Sequence, residues 1–312
     1  MKDETSPASA PAVRTLLRHF RAQRPLRGGS LLITIFGDAI APRGGAVTLG
    51  SLIRLAATFG LTERLVRTSV ARLARDGWLA ARRAGRRSEY RLTPLGAERF
   101  AEATRRIYGE NPRAWDGQWT LLLLPAARRP AALRRELKWL GFGQLTPGLF
   151  AHPGTVPEAR ALLRNVAGMN PVLLLLSGSG DLAADRELAA RGWDLEELAR
   201  RYRSFLGRFA PVEAVLSARP FPAQTAFVVR TLLIHEYRKI HLRDPLLPPA
   251  LLPQDWIGAS AYELCRRLYA QLFAGAESYL SVAAHQLQRP LPAANSAAHA
   301  RFGGVQTQAS PA

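Results

Sequence analysis

The sequence has a single cysteine, Cys265, and that scarcity closes off two kinds of architecture. No internal disulfide can form, and no multi-thiolate metal site can be assembled. Cys265 falls in a helical pattern with Ala261, Leu264, Leu268 and Leu272, so it reads as a small apolar packing residue. Long hydrophobic runs are also missing. The best, at 121–124 and 172–176, have the length of strands and fall far short of the roughly 18 apolar residues a membrane helix needs. The start, Met1-Lys2-Asp3-Glu4, lacks the apolar stretch of a signal peptide. A cytoplasmic protein without a membrane partner is the expectation. Lysine is scarce, yet basic residues dominate: 43 Lys and Arg stand against 24 Asp and Glu, a formal net charge of +19. That balance points to a polyanionic partner, nucleic acid first and an anionic membrane surface second, with arginine-rich genomic drift as the bland alternative.

With 312 residues, 47% of them hydrophobic, the chain can bury a sizeable core in two or three domains. Residues 1–12 are rich in Ser, Ala and Pro and read as disordered, within a flexible arm over 1–29. The spacing predicts a short buried helix over 31–41, broken by Pro42-Arg43-Gly44-Gly45. Helices follow at 48–59 and 62–76, strands at 78–83 and 88–92, and a helix from Thr93-Pro94 to about Tyr108. Beyond a linker at 110–115 the period changes. A strand at 118–124, a helix at 130–141, extended chain at 146–152, a helix at 158–166 and a strand at 171–177 suit a small ferredoxin-like domain. The remainder reads as helical at 183–191, 194–209, 222–242 and 259–287, with a stiff Pro/Leu loop at 244–253 and a loose tail from about 289. The fold class is therefore α+β. Its expected parts are a winged helix at 30–110, a ferredoxin-like domain at 111–180, a helical effector and dimerisation domain at 181–288, and a tail at 289–312.

The segment 48–92 has the order helix, turn, helix, hairpin. In a helix-turn-helix the second helix enters the major groove. Here Thr62 caps that helix, and Leu65, Val66, Val70, Leu73 and Ala74 form its apolar stripe. The other face carries Arg64, Arg67, Thr68, Arg72 and Arg75, with Ser69 beside Thr68 as a short hydroxyl able to approach base edges. Asp76-Gly77-Trp78 ends the helix, and Arg82, Arg83, Arg86 and Arg87 flank the turn at Gly85. Four guanidiniums on a protruding hairpin suit the phosphate backbone or the minor groove of double-stranded DNA.

Other chemistry is weaker in the sequence. Gly178-x-Gly180-x-x-Ala183 matches a dinucleotide fingerprint, but no further strand ends in an acid about 20 residues on. His235, Glu236 and His241 lack the spacing of a zinc helix, because positions six apart lie on opposing flanks. A polar network between helices is the plainer reading. No cofactor, no metal and no catalytic residue is expected.

The stretches Phe36-Gly37-Asp38, Arg43-Gly44-Gly45, Gly50-Ser51-Leu52 and the run from Phe59 to Thr68 resemble the PaaX family of bacterial repressors of phenylacetate catabolism. So do Arg72 to Leu79, Gly85 to Ser88, Ala114 to Trp119, Gly141-Phe142-Gly143, Leu232 to Arg238, Arg243 to Pro248, and Arg301 to Gly304. The resemblance covers nearly the whole chain. It implies a winged helix, a central domain similar to Cas2 proteins and a helical C-terminal domain. It also implies a homodimer on a partly palindromic operator, released when phenylacetyl-coenzyme A or a related aromatic acyl thioester binds. Such an effector needs cations for its phosphates and an apolar slot for its ring. His235, Tyr237, Arg238, His241 and Arg243, beside the Pro/Leu loop and Trp256, offer both. The rivals are a nucleic-acid-binding protein with no small effector and a Cas2-like metal-dependent nuclease. For the latter, Asp116 is a lone carboxylate better read as a turn former with Gly117.

Overall fold

The computed structural model describes residues 11–23, 28–109, 114–124, 131–154, 173–287 and 289–305. The chain divides into two compact units. One comprises residues 1–109, 204–239 and 260–312, the other 110–203 and 240–259.

The first unit opens with α1 (Pro11–Ala22), whose Val13, Leu16 and Phe20 are buried at helical spacing. The expected flexible arm over 1–29 is thus helical in its middle, while residues 1–10 and 24–27 lie outside the described ones. The helix α2 (Gly28–Ile35) passes into a wider turn at Phe36–Ile40 and a tighter one at Ala41–Arg43. A short strand β1 (Ala46–Thr48) follows, then α3 (Leu49–Ala57) and α4 (Glu63–Arg75). The strands β2 (Leu79–Ala84) and β3 (Arg87–Leu92) form a hairpin, and β1 joins it on the β3 side, with Thr48 opposite Glu89. The helix α5 (Pro94–Tyr108) closes this run.

Local chemistry fixes these boundaries. The hydroxyls of Thr48, Thr62 and Thr93 accept from the backbone N–H of Ser51, Leu65 and Gly96, and each such cap contributes about 1 kcal/mol. At the end of α4, Trp78 N–H donates to Leu73 O and Gly77 N–H to Ala74 O, with Gly77 at φ +75°. That pairing needs a left-handed residue, which glycine adopts without strain. The Trp78 ring then meets Phe100 edge to face at 5.7 Å.

The second unit holds β4 (Trp119–Leu123), α6 (Ala131–Trp139), β5 (Gly143–Thr146), β6 (Leu149–Pro153), β7 (Leu173–Ser177) and α7 (Leu182–Gly192). The sheet order is β5-β6-β4-β7 with every pair antiparallel, as the ferredoxin-like expectation requires. Its two faces follow from strand alternation. Leu122, Leu124 and Phe150 pack with Leu133 and Leu137 of α6 on one face. Trp119 and Ala151 pack with Ala189 of α7 and with Leu247 and Leu251 on the other. The helix expected at 158–166 lies outside the described residues.

The C-terminal region is helical, as expected. Its helices are α8 (Leu195–Ala218), which runs on through Pro211, then α9 (Ala223–His241) and α10 (Ile257–Ala283). The segment expected as a loose tail is folded up to residue 305. A short helix α11 (Ser296–His299) is capped by Asn295, whose N–H also donates to Pro42 O. Arg301 and Phe302 are buried, and residues 306–312 lie outside the described ones.

Arg301 shows why this segment is held. Its Nη1 donates to Asp38 Oδ1 at 3.0 Å, and its guanidinium lies 4.2 Å from the centre of the Tyr108 ring. Asp38 also accepts from Arg230 Nε at 3.0 Å and from the hydroxyls of Tyr108 and Tyr269 at 2.9 Å each. Burial alone would raise the Asp38 carboxyl, but Arg230, Arg301 and the two phenols hold it below its ordinary value. Arg230 Nη1 further donates to Glu277 at 2.8 Å, and Glu277 pairs with Arg43 as well. One buried carboxylate thereby ties the turn after α2 to α5, α9, α10 and the C-terminal segment.

Candidate nucleic-acid interface

The helix α4 buries Val66, Ser69, Val70 and Leu73 and exposes Arg64, Arg67, Thr68, Arg72 and Arg75. Its buried side meets α2 so closely that a Cβ on Gly28 would come within 2.9 Å of the Leu65 side chain. A larger residue there would force the Leu65 side chain to shift. Ser69 is a correction to the sequence reading. It is 8% exposed and faces α2 at Gly29, where a Cβ would lie 3.8 Å from its Oγ. Its spacing from Val66 and Leu73 places it on the packed stripe, so its hydroxyl is turned away from the exposed face.

On that exposed face Glu63 fixes Arg67, with Arg67 Nε donating at 2.8 Å, and Thr68 Oγ1 donates to Arg64 O at 2.9 Å. The Thr68 oxygen keeps its acceptor capacity toward an outside donor. Beyond α4, the hairpin pairs Ala84 with Arg87 around the two-residue turn Gly85-Arg86. Arg82, Arg83, Arg86 and Arg87 are all exposed, and among the described residues none of the four is in an ion pair, Glu89 opposite Arg82 being within reach of Arg91 instead. Nine of the ten residues singled out for DNA therefore stand exposed on two consecutive elements.

The same hairpin lines an open groove of about 680 Å³. Arg67, Arg86 and Arg87 contribute to it, together with Arg54 of α3 and Arg289 of a C-terminal loop. Arg54 and Arg289 were not singled out from sequence. They lie 235 positions apart with no shared motif, so only the fold reveals the juxtaposition.

The residues expected to hold an effector are divided between the two compact units. His235, Tyr237 and Arg238 belong to the first unit, and His241, Arg243 and Trp256 to the second. His235 is 1% exposed, and its Nδ1 lies 3.0 Å from Thr34 Oγ1. Burial first, then the neighbouring Arg238, lowers its pKa to about 3, so the ring is neutral. Arg238 donates to Thr34 Oγ1 at 2.8 Å and to Ser30 Oγ at 2.8 Å, clamping α9 onto α2. Tyr237 is fully buried beside Phe205. His241 Nδ1 lies 3.2 Å from the Tyr202 hydroxyl, which donates to Asp244. Arg243 is exposed. Trp256 borders a cavity of about 450 Å³ that also presents Asp194, Glu196 and Asp255 beside Arg203. Three carboxylates there repel phosphates, which argues against the predicted use of Trp256.

Three further sequence readings are resolved. Asp116 Oδ1 accepts from Gln118 N–H at 2.9 Å across Gly117 at φ +77°, a local turn. The Gly178-x-Gly180 loop follows β7, which is antiparallel to β4, whereas a dinucleotide fingerprint needs a parallel βαβ crossover. Glu236 accepts from Gln23, Arg208 and Lys239. Burial would raise its carboxyl, but Lys239, Arg208 and the hydrogen bond from Gln23 bring it below its ordinary value. Among the described residues, no cluster of three His, Cys, Asp or Glu side chains could hold a metal, and no helix is long and apolar enough to cross a membrane.

Comparison with known proteins gives three family matches along the chain. Residues 27–96 match the PaaX-like protein family, 112–189 the PaaX protein central Cas2-like domain, and 193–282 the PaaX-like protein C-terminal domain. The transcriptional repressor PaaX of Escherichia coli (strain K12) is 36% identical over 302 residues, covering 94% of this chain and 96% of that one. Among solved structures, the uncharacterized protein Rv0674 from Mycobacterium tuberculosis is 25% identical, covering 72% of this chain and 89% of that one, with a TM-score of 0.45.

Proposed function

As the chain belongs to the PaaX family, we propose that it is a DNA-binding transcriptional repressor that reads its operator through a winged helix formed by α3, α4 and the β2–β3 hairpin. The observation that carries this reading is the pairing of two exposed surfaces. One is the α4 face bearing Arg64, Arg67, Thr68, Arg72 and Arg75, and the other is the hairpin bearing Arg82, Arg83, Arg86 and Arg87. Arginine bonds guanine bidentately and threonine bonds several bases, so α4 supplies the base readers. The hairpin supplies sequence-independent affinity by neutralising phosphates.

In this reading the protein is a cytoplasmic homodimer on two half-sites, regulating an aromatic, phenylacetate-type catabolic operon and acting without an enzymatic step. An aryl-acyl-coenzyme A such as phenylacetyl-coenzyme A releases it. Release requires that the effector bind the DNA-incompetent state more tightly than the DNA-bound one. A gel shift with the gene's own upstream DNA tests both parts. A discrete retarded band that phenylacetyl-coenzyme A abolishes, and free phenylacetate does not, is the expected result. A band insensitive to the thioester would leave a DNA-binding protein without this effector. Magnesium-dependent degradation of the probe would favour a nuclease.

A further inference from the structure

The C-terminal loop beside the hairpin is held in place by several independent contacts. Leu287 N–H donates to the buried carboxylate of Glu89 at 3.0 Å. Thr48 N–H donates to His285 O at 2.9 Å, and His285 N–H donates to Ser51 Oγ at 2.9 Å. The loop closes on itself through the bridge between His285 and Pro290 and through Leu291 N–H to Ala284 O at 3.1 Å. Arg289 stands exposed at its tip. Among the described residues one of its five N–H donors is used, with Nε donating to Gln286 Oε1 at 2.8 Å. Arg54 is aimed by Ala283 O, which accepts from both its Nε and its Nη2.

Five guanidiniums thus line one groove, and no carboxylate is among its lining residues. The first turn of α3, at Leu49 and Gly50, lines it too, and a helix N-terminus adds positive potential. Arg67 is paired with Glu63, and the other four like charges repel one another unless an anion sits among them. The groove is continuous with Arg67 of α4 and with Arg86 and Arg87 of the hairpin, the elements already assigned to DNA.

We propose that this groove is a third contact with the duplex, a clamp in which Arg289 and Arg54 hold a backbone phosphodiester next to the hairpin. It rests on the reading of the chain as a DNA-binding protein. It makes the C-terminal segment part of the DNA-binding surface rather than a connector to it. The contact is to phosphate, so it adds affinity to every sequence equally and leaves base preference unchanged.

The test is a fluorescence-anisotropy titration of full-length protein on an upstream duplex and an unrelated duplex over a salt series. Each lost phosphate contact lowers the magnitude of the log–log salt slope by about 0.9. Arg289→Ala is expected to lower it by one such step and to weaken both duplexes by the same several-fold factor. Arg289→Lys, which keeps the charge, is expected to restore the slope. Arg86→Ala with Arg87→Ala serves as the reference, since those residues belong to the hairpin reading. If that pair lowers the slope and Arg289→Ala does not, the clamp is overturned while DNA binding stands. If inorganic pyrophosphate raises the melting temperature of wild type but not of Arg289→Ala, with the slope unchanged, the groove belongs to a free phosphorylated ligand and the clamp is likewise overturned. Wild-type protein that binds neither duplex would overturn the DNA reading itself.

Discussion

Arg230 and Arg301 are almost wholly removed from solvent and share the carboxylate of Asp38, whereas Arg82, Arg83, Arg86 and Arg87, in the same compact unit, stand exposed along a hairpin. The two groups use one residue type for opposite ends. A buried guanidinium loses its hydration and must regain it from fixed acceptors, so its position is dictated by the fold. An exposed guanidinium without a carboxylate keeps its hydration and its donors and is free to meet an outside anion. The contrast separates residues that hold the protein together from residues available to a partner, a distinction that composition and net charge cannot make.

The sharpest way to break this comparison is to remove the shared acid. Asp38→Asn leaves Arg230 and Arg301 without their counter-charge and is expected to destabilise the first unit by about 3–5 kcal/mol. Urea denaturation followed by circular dichroism measures it. A loss below about 1 kcal/mol would show that Asp38 does not organise the centre.

A smaller effect comes from a buried base kept neutral. His235 is held to a pKa of about 3, against an ordinary value of 6.5. The folded state resists the proton while the unfolded chain takes it up below pH 6.5, so stability falls as pH drops from 6.5 toward about 3. From pH 7 to pH 5 this amounts to about 2 kcal/mol, at about 1.36 kcal/mol for each pKa unit. His235→Gln is expected to flatten that decline, read as the urea midpoint at the two pH values. Identical declines in the variant and wild type would contradict it.

Much of the exposed group was legible in the sequence, and little of the buried one. The cap at Thr62, the stripe of Val66, Val70 and Leu73, and the Gly77 terminator are local signals, and they set the ends of α4 to within a residue. Ser69 misled because its small polar side chain was weighed above its place on the stripe. In α9 every residue from Thr225 to Tyr237 is buried, with Arg230, His235 and Glu236 enclosed as fully as the apolar residues around them. A helix enclosed all round has no periodic face, so sequence cannot tell an arginine that grips α2 from one that greets a ligand. Arg238, read from sequence as a cation for an effector, is for that reason found holding Thr34 and Ser30 of α2. Asp38, Arg230 and Arg301 share no spacing at all, being brought together across 263 positions. The three-residue strand β1 is too short for alternation to show, and the folded segment up to 305 is anchored by Arg301 rather than by any hydrophobic run.

The smallest expected effect on stability is the most informative about function. Replacing Arg82, Arg83, Arg86 and Arg87 together by alanine removes exposed side chains that form no ion pair among the described residues, so the urea midpoint should be nearly unchanged. A footprint on the gene's own upstream DNA, comparing wild type with this fourfold variant, tests the central claim most directly. The account predicts two protected half-sites for wild type and loss of protection for a variant of undiminished stability. Equal protection by both proteins, or uniform coverage without half-sites, would contradict it.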